Sequence, residues 1–141
     1  MKYYAVIDTN VLVSAMLKSV SVPGKVVKLA FEGKIIPLYN AAFLREYQEV
    51  LSRPKFHLTK EVIDPVILEI TQNGIDVDAE TLDNVDFPDP KDTVFYEVVM
   101  EQRKTDDAYL VTGNLKQFPV KPFVVTPRQM LDLILSKKTE Y

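Results

Sequence analysis

Apolar positions along the chain fall into two alternating spacings. Short unbroken runs at Tyr3-Tyr4-Ala5-Val6-Ile7, Ile35-Ile36-Pro37-Leu38-Tyr39 and Ala108-Tyr109-Leu110-Val111 have the length and continuity of strands buried on both faces. Between them, apolar residues recur three and four apart, as on one face of a helix. Such stripes carry Val11, Leu12, Ala15 and Met16, then Val26, Val27, Leu29, Ala30 and Phe31, then Phe43, Leu44, Tyr47, Val50 and Leu51. Further stripes follow at Val62, Val66, Ile67 and Ile70, at Val94, Phe95, Val98, Val99 and Met100, and at Met130, Leu131, Leu133, Ile134 and Leu135.

The residues between these runs act as start and stop signals. Asn10 is placed to cap the first helix, Pro23 opens the second in its first turn and Gly33 ends it. Asn40 or Ala41 starts the third, which ends at Ser52-Arg53-Pro54, and Thr59 opens the fourth, where Pro65 requires a late start or a kink. A third strand is predicted over residues 75–77, with residues 82–90 as loop. Asp92 suits the N-cap or first turn of the next helix, residues 123–125 read as the fifth strand, and Thr126-Pro127 opens a last helix with Lys137 and Lys138 near its negative end. The pattern predicts an α/β fold: a three-layer α/β/α sandwich around a mostly parallel, about five-stranded Rossmann-like sheet with right-handed crossovers, forming a single domain over residues 1–141.

Composition narrows the chemistry. With 141 residues, 47% of them hydrophobic, the chain is long enough to build a core without a disulfide or a structural metal. It has no cysteine, which excludes a disulfide scaffold, a thiolate metal site and a cysteine nucleophile and fits a reducing, cytoplasmic setting. A single histidine, His57, argues against a His-based triad or metal site and reads as a solvated loop residue. No apolar run approaches the roughly 20 residues of a membrane-spanning helix. Net charge is −3, so bulk positive charge is no basis for binding nucleic acid. Charge is uneven, however: residues 1–60 carry 9 basic and 4 acidic side chains, whereas residues 61–107 carry 3 and 14. Most of the acids in that middle segment read as a solvated face.

In an open parallel sheet, ligands bind outside the carboxyl ends of the strands, where strand order reverses. Asp8 directly follows the first strand and Thr112-Gly113-Asn114 the fourth, so both reach that edge if the two strands are neighbours. Glu46 lies about two turns into the helix after the second strand, and Asp92 opens the helix before the fourth. Three carboxylates converging there would repel one another unless protonated or bridged by a hard divalent cation.

These same residues carry a family resemblance. Val6-Ile7-Asp8-Thr9-Asn10-Val11-Leu12-Val13, Phe43-Leu44-Arg45-Glu46 running on to Ser52-Arg53-Pro54, Asp89-Pro90-Lys91-Asp92 and Tyr109-Leu110-Val111-Thr112-Gly113-Asn114 resemble, in order, the successive blocks of a PIN domain. The likeness is greatest to the toxin-like PIN proteins of prokaryotic toxin–antitoxin systems, the group that includes the VapC-type ribonucleases. It implies an endoribonuclease dependent on Mg²⁺ or Mn²⁺ held by Asp8, Glu46 and Asp92, and a cognate antitoxin as partner. A fourth acidic position is expected after the Thr-Gly pair, yet Asn114 stands there, with neutral Gln117 next along the turn. Lower charge favours one tightly held metal, with Asp89 the better reserve ligand; Asp106 and Asp107 precede the fourth strand and fall at the wrong end of the sheet.

Position suggests the roles. Asp8 is the principal ligand, Asp92 a second ligand or the base that orients water, and Glu46 a direct or water-mediated ligand. Thr112 and Asn114 are hydrogen-bonding supports, while Thr9 and Asn10 fix Asp8 or donate to a substrate phosphate. Glu49 is set aside because Arg53, four residues on, can pair with it. Arg45 and Arg53 are the candidates for guiding an RNA backbone, whereas Tyr39, Phe43 and Tyr47 read as packing. Apolar helix faces permit a homodimer. The alternative reading is a binding module of the same fold for RNA or protein, with catalysis weakened by Asn114. A nucleotide-binding or phosphatase-like protein ranks last, because the chain has four glycines and no glycine-rich phosphate loop.

Overall fold

A computed structural model describes residues 2–79 and 92–138. Strands β1 (Tyr3–Ile7), β2 (Ile35–Tyr39), β3 (Ile75–Asp76), β4 (Ala108–Val111) and β5 (Val124–Val125) form one parallel sheet in the order β3-β2-β1-β4-β5. Six α-helices among the described residues accompany it: α1 (Thr9–Leu17), α2 (Val22–Phe31), α3 (Ala41–Leu51), α4 (Lys60–Asn73), α5 (Thr93–Gln102) and α6 (Pro127–Lys138). This is the expected α/β/α architecture, and the order reverses direction between β1 and β4. Ala5, Val6 and Ile7 of β1 and Leu110 and Val111 of β4 are all buried, so both faces of the central strands are covered. Helix α5 crosses β1, β2 and β4, while α3 packs chiefly on α1, α4 and α5.

Most start signals act as the sequence predicts. Pro23 lies in the first turn of α2, behind Ser21, which accepts from the Gly24 N–H at 3.2 Å, and Asn40 caps α3 through the Phe43 N–H at 3.0 Å. Thr126 and Gln129 exchange bonds of 2.9 and 3.1 Å at the start of α6, the reciprocal arrangement that satisfies two helix-end donors. Gly33 follows α2 with φ +87°, a conformation that suits glycine.

Two expectations are corrected and one alternative is decided. Helix α1 begins earlier than Asn10: Asp8 is the N-cap residue, its carbonyl accepting from the Val11 N–H at 3.0 Å. The Asn10 side chain is drawn instead to the Gly113 N–H at 3.2 Å, so a contact across the sheet edge outcompetes the local cap. Of the two ways of accommodating Pro65, helix α4 excludes the late start: it begins at Lys60 and carries Pro65 inside. Strand β3 stops at Asp76, although the Val77 N–H still bonds the Tyr39 carbonyl at 2.8 Å. The predicted loop at 82–90 lies outside the described residues.

Two glycines separate steric need from conformational need. A Cβ on Gly74 would sit 2.3 Å from the Pro37 carbonyl oxygen and 2.5 Å from that of Ile70, where α4 turns into β3, whereas one on Gly33 would meet nothing within 4 Å. Gly74→Ala is therefore expected to cost roughly 2 kcal/mol or more through forced backbone movement. Gly33→Ala, which suffers only its dihedral, should cost about 1 kcal/mol. Urea unfolding of the two variants checks the order.

Candidate active site

The reversal of strand order places the ends of β1 and β4 side by side, and the Asp8 N–H donates to the Val111 carbonyl at 2.9 Å. Asp8 is 4% exposed and Thr112 fully buried, and the Thr112 hydroxyl donates to Asp8 Oδ2 at 2.7 Å. That hydroxyl oxygen also accepts from the Asn114 N–H at 3.1 Å, so one threonine ties the loop after β4 to the carboxylate after β1. Asn10 adds a second tie through Gly113. Asn114 itself is exposed.

Glu46 reaches this edge from α3. Phe43 and Tyr47, four residues apart, bury the inner face of that helix against Phe95 of α5, with ring centroids 4.4 Å (Phe43–Phe95) and 6.4 Å (Tyr47–Phe95) apart. Glu46, half-buried beside them, accepts from the Thr9 hydroxyl. Thr9 was expected to fix Asp8 or a phosphate through its side chain; its hydroxyl holds Glu46 instead, and only its backbone N–H serves Asp8. Asp92, the N-cap residue of α5, is buried and makes no capping hydrogen bond with its carboxylate, but among the described residues it does not join Asp8 and Glu46 in a three-carboxylate cluster. A pocket of about 180 Å³ lined by Ala42, Phe43, Glu46, Val94 and Phe95 opens between the two helices.

The electrostatics follow from burial. Loss of solvent pushes the Asp8 carboxyl above the usual range, and the Glu46 charge adds to the rise, while hydrogen bonds from Thr112, the Thr9 backbone and Asn10 draw it partly back. Tyr47, not foreseen as a site residue, donates its buried hydroxyl to the Ile7 carbonyl one residue before Asp8. Burial, then the Asp8 and Glu46 charges, push this phenol well above its ordinary value and keep it a donor. The available signal was that a buried tyrosine needs a partner for its hydroxyl.

Among the described residues neither Asp8 nor Glu46 forms an ion pair with a lysine or arginine, and no three acidic or histidine side chains close into a ready-made cage. Two neighbouring carboxylates, one buried and both without a basic partner, fit a hard divalent cation that keeps part of its water shell. Asp89 lies outside the described residues. Glu49 is taken up by Arg53 at 3.1 Å on the exposed side of α3, while the neighbouring Arg45 is exposed and forms no ion pair among the described residues. Asp106 and Asp107 sit before β4, bonded to Gln102 and Arg103.

Comparison with known proteins identifies the family. Residues 4–116 match the model of the PIN domain family, and the chain belongs to that family. PIN domains are generally nucleases and typically use divalent metals. An uncharacterized protein of the archaeon Methanocaldococcus jannaschii is 28% identical over 116 residues, which cover 80% of this chain and 72% of the relative. No solved structure gives a significant match. No helix among the described residues is long and apolar enough to cross a membrane.

The raised Asp8 carboxyl has a thermodynamic consequence in metal-free protein. A group whose folded-state pKa lies above its unfolded value stabilises the fold below the unfolded value and loses that contribution as pH rises through the folded one. Asp8→Asn, which keeps an oxygen for Thr112, is therefore expected to be more stable than the wild type at neutral pH in EDTA, the gain vanishing below about pH 4, near the ordinary carboxyl value of 3.8. Thermal unfolding across that range checks the sign.

Proposed function

We propose that this chain is a divalent-metal-dependent endoribonuclease that hydrolyses RNA phosphodiester bonds at the Asp8 edge of the sheet. The supporting observation is the buried Asp8 carboxylate, held by Thr112, beside Glu46, and without a basic partner among the described residues. The residues that would hold the cation are Asp8 first, then Glu46 and Asp92. Bound there, Mg²⁺ or Mn²⁺ supplies Lewis acidity, activating a water and neutralising charge that grows on the phosphoryl oxygens.

The chain's own residues then divide the remaining tasks. Thr112 keeps the Asp8 carboxylate oriented, and Thr9 does the same for Glu46. Asp92 is the third carboxylate, a ligand or the base that receives the proton of the attacking water. Neutral Asn114 adds no anionic charge, which favours a single tightly held cation over a pair. Arg45, exposed one residue before Glu46, is the better candidate for meeting the RNA backbone; Arg53 must first leave Glu49, an exposed pair worth little.

The resemblance of the sequence blocks extends this reading to the cytoplasmic toxin of a toxin–antitoxin pair, restrained by a cognate antitoxin and able to form a homodimer. Cleavage of labelled single-stranded RNA tests the catalytic core of the proposal. Wild type should cut with Mg²⁺ or Mn²⁺ and not in EDTA, and Asp8→Asn should lower the rate by more than about 100-fold. RNA binding without metal-dependent cleavage would favour the alternative, a PIN-fold binding module in which Asn114 marks lost catalysis.

A further inference from the structure

The peptide that joins Ile7 to Asp8 is gripped from both sides. Its N–H donates to the Val111 carbonyl at 2.9 Å, and its carbonyl accepts from the Tyr47 hydroxyl. In a trans peptide these two groups point in opposite directions, so β4 holds one side of β1 and α3 the other. The tyrosine bond takes the place of the next bond in the β1–β2 ladder. Beside β4, β1 stays in register as far as Ile7 and Val111, but beside β2 the register ends earlier, at Ala5 and Pro37. The Ile7 carbonyl thus faces the side on which the ladder has run out, where a buried acceptor left alone is costly. Tyr47 fills the vacancy from a ring that is 2% exposed and wedged against Phe43 and Phe95, so the hydroxyl has little room to swing away.

We propose that Tyr47 is a positioning residue for metal binding: by holding the Ile7–Asp8 peptide against β4 it sets the Asp8 backbone, while Thr112 sets the carboxylate at the far end of the same side chain. This rests on the metal-dependent reading above. Glu46 is the next residue in α3, so the turn of helix that offers one carboxylate also places the other. A shift of α3 would move both donors together.

Tyr47→Phe isolates the hydroxyl, since the ring and its aromatic contacts remain. Binding of Mn²⁺ alone, followed by calorimetry, should weaken about tenfold with unchanged stoichiometry, the scale seen when an outer partner of a metal ligand is lost. Ile70→Val, a buried change in α4, serves as a stability control and should bind Mn²⁺ like the wild type. Amide exchange followed by NMR provides a readout that needs no metal: the Asp8 N–H should exchange roughly tenfold faster in Tyr47→Phe, as for the loss of one hydrogen bond, while the Leu110 N–H is unchanged. Wild-type Mn²⁺ affinity in Tyr47→Phe, or an equal fall in both variants, would reduce Tyr47 to a core residue and overturn the inference. Failure of the wild type to bind Mn²⁺ overturns the metal-dependent reading and the metal half of this one with it. Unchanged Asp8 exchange in Tyr47→Phe overturns the peptide clamp by itself.

Discussion

A carboxylate buried at the end of a central strand is stable only if its surroundings replace the water it has lost. Asp8 is in that position, with β2 and β4 on either side of its strand and α1 leaving directly behind it. Thr112, the Thr9 backbone and Asn10 supply hydrogen bonds, yet burial and the nearby Glu46 still leave the charged form disfavoured. Elsewhere acids find ordinary surface partners, as Glu49 does in Arg53 and Glu101 in Lys104. A site kept electrostatically incomplete inside a well-packed fold has the character of a binding site for a cation, because a structural need alone would be met by a basic side chain or by an apolar residue.

Packing well away from Asp8 decides what can join it there. Helix α3 rests chiefly on other helices, and its inner face is fixed by the Phe43, Tyr47 and Phe95 rings. That cluster packs the turn of α3 that carries Glu46 against α5, whose first turn follows Asp92. The pocket between the two helices has Glu46 as its only acidic lining residue among the described ones, with apolar walls around it. Stability and site geometry are therefore coupled through α3: the contacts that bury the aromatic face are those that present the carboxylate.

Much of this was readable from the sequence, for identifiable reasons. Continuous apolar runs marked the buried parallel strands, and the strand ends placed Asp8 and Thr112 at one edge on condition that β1 and β4 be neighbours, as they are. The pairing of Glu49 with Arg53 followed from helical spacing alone. What the sequence hid were choices made between local and distant partners. Asn10 looks like a cap because capping is local, but Gly113 is reachable only once β1 and β4 are adjacent. Thr9 looks committed to its neighbour Asp8, but α3 brings Glu46 to its hydroxyl. Tyr47 reads as packing because nothing in its neighbourhood along the chain reveals that the β1–β2 pairing ends before Ile7.

The central claim is that the Asp8 edge holds a divalent cation. Anomalous scattering from crystals of the wild-type protein grown with Mn²⁺ tests it directly. The account predicts one strong peak at bonding distance from an Asp8 carboxylate oxygen, with Glu46 or Asp92 contributing directly or through water. A manganese peak bound elsewhere on the protein, or none at Asp8 at a concentration that supports cleavage, would contradict it.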